Sequence, residues 1–143
     1  SDLIAIDGSL VPQFGVLEQP VKIYMKNGVI DHVEGGAIAE QWEKYMRDFQ
    51  HPQMLRPAHV CVGFHPNAKL TGQLGEDERI YGGSQWGFGA IGSFLMPPNG
   101  IPAPSHIDAT CLRVSIYLDG VAITQDGEIV DEELKKYAAR LGR

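Results

Sequence analysis

Positive charge is scarce in this chain. Lys and Arg total 12 against 18 Asp and Glu in 143 residues, a formal net charge of −6. No basic tract exists, which argues against nucleic acid and anionic membrane as partners. No apolar run approaches the roughly 18 residues that mark a membrane-spanning helix, so none is expected. Cysteine is nearly absent: Cys61 and Cys111 lie in apolar strand-like runs and make no disulfide framework. Free buried thiols in a reducing cytoplasm are the expectation. The chain has no CxxC zinc pair, HExxH helix, phosphate loop or nucleophile elbow, so the commonest hydrolase and nucleotide signatures are missing. No charged-then-apolar leader opens it. It starts on Ser1-Asp2 without Met and enters an apolar run, Leu3 to Ile6, at once. The expectation is a single domain, residues 1–143, cut from something longer.

Glycine is abundant, 17 residues, which fits a turn-rich β fold. Asn27-Gly28 separates two alternating runs, Val21 to Lys26 and Val29 to Val33, a strong hairpin signal. Asp119-Gly120 and Asp126-Gly127 mark two further turns. From Ala37 to Phe49 the period becomes helical, with Ile38, Trp42, Tyr45, Met46 and Phe49 on one stripe. Glu40 with Lys44 and Glu43 with Arg47 make i,i+4 pairs on the other side. A second helix is expected from Asp131 to Leu141, acidic at its start and basic further along. Pro97-Pro98-Asn99-Gly100 and Pro102-Ala103-Pro104 read as a rigid, structureless connector. The expected architecture is α+β, a mainly antiparallel twisted sheet with two packed helices.

Gly87-Phe88-Gly89-Ala90-Ile91-Gly92 spells the dinucleotide fingerprint GxGxxG. That motif needs a strand before it and a helix after it, and Pro97 follows too soon for the helix. A glycine-rich strand with a bulge or a close backbone approach is expected instead.

The most chemical feature is His106-Ile107-Asp108. In extended chain, residues two apart share a face, so an imidazole and a carboxylate stand side by side. That is two thirds of the two-histidine, one-carboxylate set that binds non-haem Fe(II) with open coordination positions. The third ligand is open at this level. His59 and His65 lie in one strand-like run about 20 Å apart if extended, so only one of them can reach a given ion. His32 and His51 read as surface residues.

The run Gly63-Phe64-His65-Pro66-Asn67-Ala68-Lys69-Leu70-Thr71-Gly72, then Gly75-Glu76-Asp77-Glu78-Arg79, a glycine-rich strand and Ser105-His106-Ile107-Asp108 resembles the C-terminal part of the aminopeptidase T family. The departures point to a branch of that family. A metal-binding Glu is replaced by His59, and the histidine of the glycine-rich strand falls near Gln85. The remaining set resembles the iron site of the 2,5-dihydroxypyridine 5,6-dioxygenases. The resemblance implies metal binding by His59, His106 and Asp108, with Fe(II) as cofactor. It implies ring cleavage of a small dihydroxylated aromatic or N-heteroaromatic substrate with O2. Gln85, Trp86 and Ser105 are expected to line the substrate pocket, and a homo-oligomer is expected. Two other readings stay open, a rearranged metallo-aminopeptidase and a non-catalytic oligomerisation domain with a vestigial site.

Overall fold

The computed structural model describes residues 2–142. In chain order the strands and helices begin with β1 (Asp2–Ile6), β2 (Ser9–Val11), β3 (Gly15–Val16), β4 (Val21–Lys26), β5 (Val29–Glu34) and α1 (Gly36–Asp48). A 3-10 turn (Pro52–Leu55) leads to β6 (Pro57–Val62), the one-turn α2 (Leu74–Asp77), β7 (Ser84–Ile91) and β8 (Ile101–Cys111). The chain closes with β9 (Ile116–Leu118), β10 (Val121–Gln125), β11 (Glu128–Ile129) and α3 (Glu132–Arg140). The architecture is α+β, as expected. A five-stranded sheet of order β3-β2-β8-β7-β6 is joined by two three-stranded sheets, β1-β4-β5 and β11-β10-β9. Neighbouring strands in these sheets run antiparallel.

The hairpins form where the turn residues demand them. Asn27 and Gly28 take φ of 54° and 72°, Asp119 and Gly120 51° and 82°, and Asp126 and Gly127 50° and 83°. Two successive left-handed residues are what a type I′ turn needs. The α1 stripe also packs as its period requires. Trp42 and Met46 are fully buried, and the Trp42 ring meets Phe88 edge-on at 5.5 Å between centroids. Ile6, Leu10, Val21, Ile23, Phe88, Ile107 and Ala109 share this core. Burying an aromatic side chain of this size contributes about 3–5 kcal/mol, judged by the cost of truncating one to Ala.

One expectation needs correction. Residues 101–104 are not a structureless connector but the start of β8. Pro102 and Pro104 are tolerated there because the β7–β8 register shifts, from Gly89↔His106 to Ile91↔Ile101. On the other side, β2 reaches only Asp108 and Ala109. A residue without an N–H therefore interrupts no ladder. The two long helices also differ in what they cover. α1 packs on the core, whereas Ala138 is the buried residue of α3, and Tyr137 and Leu141 of its apolar stripe are exposed. Among the described residues, no helix is long and apolar enough to cross a membrane.

Candidate metal centre

The site is assembled across three strands. Gly87, in the middle of β7, pairs with His59 of β6 on one side and Asp108 of β8 on the other. Gly89, two residues on, pairs with His106. Strand alternation sends the odd-numbered Gly87 and Gly89 to one face and Phe88 to the other. His59, His106 and Asp108 therefore share a face, while Ile107 goes into the core.

Strands one apart in a sheet are separated by about 10 Å, so His59 and His106 must lean toward each other over the strand between. Gly87 makes this possible. A Cβ there would strike Nε2 of His59 and lie 2.6 Å from its Cδ2 and 2.7 Å from Cε1 of His106. With only hydrogen in that place the two rings stack, centroids 5.1 Å apart and planes 18° from parallel. The expected close backbone approach in the glycine-rich strand is present here.

The donor atoms converge. His59 Nε2 lies 3.1 Å from His106 Nε2, and each lies 3.3 Å from a carboxylate oxygen of Asp108. Adjacent ligands on one ion at about 2.1 Å would be separated by roughly this much. The Asp108 side chain is only 6% exposed. His106 Nδ1 donates to the Ala90 carbonyl at 2.6 Å, which fixes the ring and leaves Nε2 directed at the cluster, the usual arrangement around a metal-bound imidazole. The hydrogen bond to Asp108 raises the His106 pKa; burial opposes the rise, and the carboxylate's charge and the Ala90 carbonyl add to it. Two imidazole nitrogens this close repel unless a proton or a cation lies between them. A divalent cation satisfies both and the Asp108 charge at once, so the residues present fit a mononuclear metal with two nitrogen donors and one carboxylate.

Above the cluster is a cavity of about 410 Å³ whose walls include Leu74, Glu78, Phe94 and Leu95 beside the three ligand candidates. None of these four wall residues was predicted as a site residue. Phe94-Leu95-Met96 did carry a signal, an apolar triplet in a loop where polar residues are the rule. Leu74 and Glu78 come from the glycine-rich segment that α2 folds over the sheet.

The other predicted site residues separate by face. Gln85 shares the ligand face but is fully buried, its Oε1 accepting from the Thr110 hydroxyl at 2.7 Å. It stands beside the cluster and does not line the cavity. Trp86, its neighbour in sequence, points through the opposite face and lines a different depression with Val60, Val62 and Tyr117. Ser105 also turns away, its hydroxyl 3.0 Å from that of Tyr45 on α1. Adjacent residues in a strand cannot both face one pocket, and that rule excludes both Trp86 and Ser105 from it. Of the remaining histidines, His65 is exposed. His32 stacks on Tyr24. His51, half-buried, accepts from the Gln53 backbone and caps the 3-10 turn. Cys61 and Cys111 are free thiols, and burial pushes Cys111 up to about 11.

Comparison with known proteins finds relatives of this chain. The chain is 29% identical over 142 aligned positions to 2,5-dihydroxypyridine 5,6-dioxygenase of Pseudomonas putida strain KT2440, an alignment that takes in 89% of the chain and 40% of the relative. The chain thus spans about two fifths of the length of that curated relative. The solved structure of 2,5-dihydroxypyridine dioxygenase from the same organism has the same fold over 92% of this chain and 40% of its own, with a TM-score of 0.77 at 19% identity. The family model described as NicX, 2,5-dihydroxypyridine 5,6-dioxygenase, matches residues 4–131, and the chain belongs to that family.

Proposed function

We propose that residues 1–143 form the metal-holding, C-terminal part of a mononuclear non-haem Fe(II) dioxygenase. Its substrate is a dihydroxylated aromatic or N-heteroaromatic ring. The observation that carries this reading is the convergence of His59, His106 and Asp108 donor atoms within 3.1–3.3 Å of one another. Membership of the dioxygenase family supports it, as does the name of the Pseudomonas putida relative. The motif order around Asn67 to Gly72 and His106 to Asp108 supports a wider kinship with aminopeptidase T-type proteins, with the second metal lost as Gln85 takes a ligand position.

When bound, ferrous iron supplies the redox chemistry, passing electrons from the electron-rich ring to O2. The protein's share is positional and electrostatic. The Ala90 carbonyl holds the His106 proton on Nδ1, so that Nε2 is free to bind. Asp108, nearly buried, contributes the one negative charge of the ligand set. The three side chains that would hold the metal lie on one face of the sheet and line the cavity. Leu74, Phe94 and Leu95 wall that cavity, where they would hold a flat ring and exclude water.

The remaining three fifths of the relative's length supply the rest of the pocket in this reading. Exposed apolar side chains at Tyr117, Leu118 and Val121 support homo-oligomers, which light scattering would detect. Two free cysteines support a reducing, cytoplasmic setting. The test is metal analysis of anaerobically prepared protein. One equivalent of iron, lost in His106→Ala, is expected. No iron in the native chain, or unchanged iron in the variant, would overturn the reading.

A further inference from the structure

Among the described residues, Glu78 is the one charged residue of the cavity walls apart from the three ligand candidates. The other described wall residues, Leu74, Ala90, Gly92, Phe94 and Leu95, are apolar or have no side chain, and no described Lys or Arg is among them. The Glu78 carboxylate pairs with Arg79, whose Nη1 lies 2.8 Å from Glu78 Oε1. Arg79 itself lines a separate depression with His65, Asn67 and Gly75, where it donates to the Gly75 carbonyl.

Glu78 is also held in place. Its N–H donates to the Leu74 carbonyl at 3.2 Å and closes α2. The preceding residue, Asp77, is 1% exposed. It accepts from the Ser9 hydroxyl at 2.6 Å, the Thr71 N–H at 2.8 Å and the Gly72 N–H at 3.0 Å. A buried carboxylate with that many donors anchors the segment to β2, and the ion pair with Arg79 orients the Glu78 carboxylate on it.

A fixed carboxylate in an otherwise apolar wall has a definite preference. It makes a charge-assisted hydrogen bond to a ring N–H or hydroxyl. It repels a ring carboxylate, because Arg79, the cation beside it, is already paired with Glu78 and lines a separate depression. We infer that Glu78 is the specificity-determining residue of the site. It selects uncharged rings that present a hydrogen-bond donor, an N-heteroaromatic N–H above all, and it turns away ring acids. This inference rests on the metal site proposed above.

Three probes with two ring oxygens para to each other isolate the effect: 2,5-dihydroxypyridine in its pyridone form, which carries the ring N–H, hydroquinone and 2,5-dihydroxybenzoate. Binding to iron-loaded protein is measured by calorimetry without O2, so that no turnover intervenes. Iron content and melting temperature are recorded for each variant. The native chain is expected to bind the pyridine about 10- to 100-fold more tightly than hydroquinone, the range of one hydrogen bond to a charged group, and the benzoate most weakly. Glu78→Gln should reduce the first ratio to within a few-fold of unity, and Glu78→Lys should make the benzoate the better ligand. Unchanged ratios in Glu78→Gln, with iron bound and the melting temperature intact, overturn the role of Glu78 and leave the metal site standing. Failure of the native chain to bind iron overturns the metal site and this inference with it.

Discussion

The two faces of the five-stranded sheet are built from the same strands on different principles. On one face Phe88, Ile107 and Ala109 are buried against α1 and the β1-β4-β5 sheet. Any well-fitting apolar side chains would serve there, and the force that holds them is proportional to area. On the other face Gly87 has no side chain at all, and His59, His106 and Asp108 close over it. There the geometry of three donor atoms matters and buried area does not. The comparison teaches that one strand pair can carry a stability function and a chemical function with little interference, because alternation keeps them apart.

Substitutions on the two faces should therefore move different observables. The largest effect is expected at His106. His106→Ala should lower iron affinity by more than about 100-fold, beyond the range for partners that only orient a ligand, while an anaerobic melt of the metal-free protein changes little. Phe88→Ala should do the reverse. A loss of about 3–5 kcal/mol is expected in denaturant unfolding, with the stoichiometry of iron in the folded fraction unchanged. Gly87→Ala sharpens the comparison, because it adds one methyl on the ligand face without touching the core. The two rings must part, and iron affinity should fall about 10- to 100-fold, as when a ligand is misoriented. Chelator competition gives the number. A melting-temperature loss without an affinity loss would mean that the rings are not set by that contact. Cys111, on the core side, should resist alkylation at pH 8 in the native state and react only on unfolding, because a thiol titrating at about 11 carries little thiolate. The smallest effect is expected at Ser105, which neighbours His106 in sequence but faces α1. Ser105→Ala should cost about 0.5–1.5 kcal/mol of stability, the value of one hydrogen bond, and leave iron affinity untouched.

Much of this division was legible in the sequence wherever a periodic rule applied. The Trp42–Met46 stripe, the Asn27-Gly28 turn and the pairing of His106 with Asp108 all follow from local geometry. His59 does not. Its meeting with His106 depends on the register of β6 on β7 and of β7 on β8, set by packing over 47 residues. No local pattern encodes that, and only the family resemblance identified it. Trp86 and Ser105 stand next to Gln85 and His106 in sequence, yet the same period-2 rule that pairs His106 with Asp108 sends them to the other face. Glu78 and Phe94 lay in segments with no periodicity to read, since loop residues reach a site only through the fold that carries them. Pro102 and Pro104 signalled a break, yet an unpaired, bulged stretch of strand accepts proline as readily as a loop does.

The central claim is that one ion is held between His59, His106 and Asp108. Anomalous scattering across the iron edge, from crystals grown anaerobically with ferrous iron, addresses it most directly. The account predicts a single strong peak within bonding distance of both Nε2 atoms and the Asp108 carboxylate. Iron signal elsewhere in the molecule, or none between those three side chains, would contradict it.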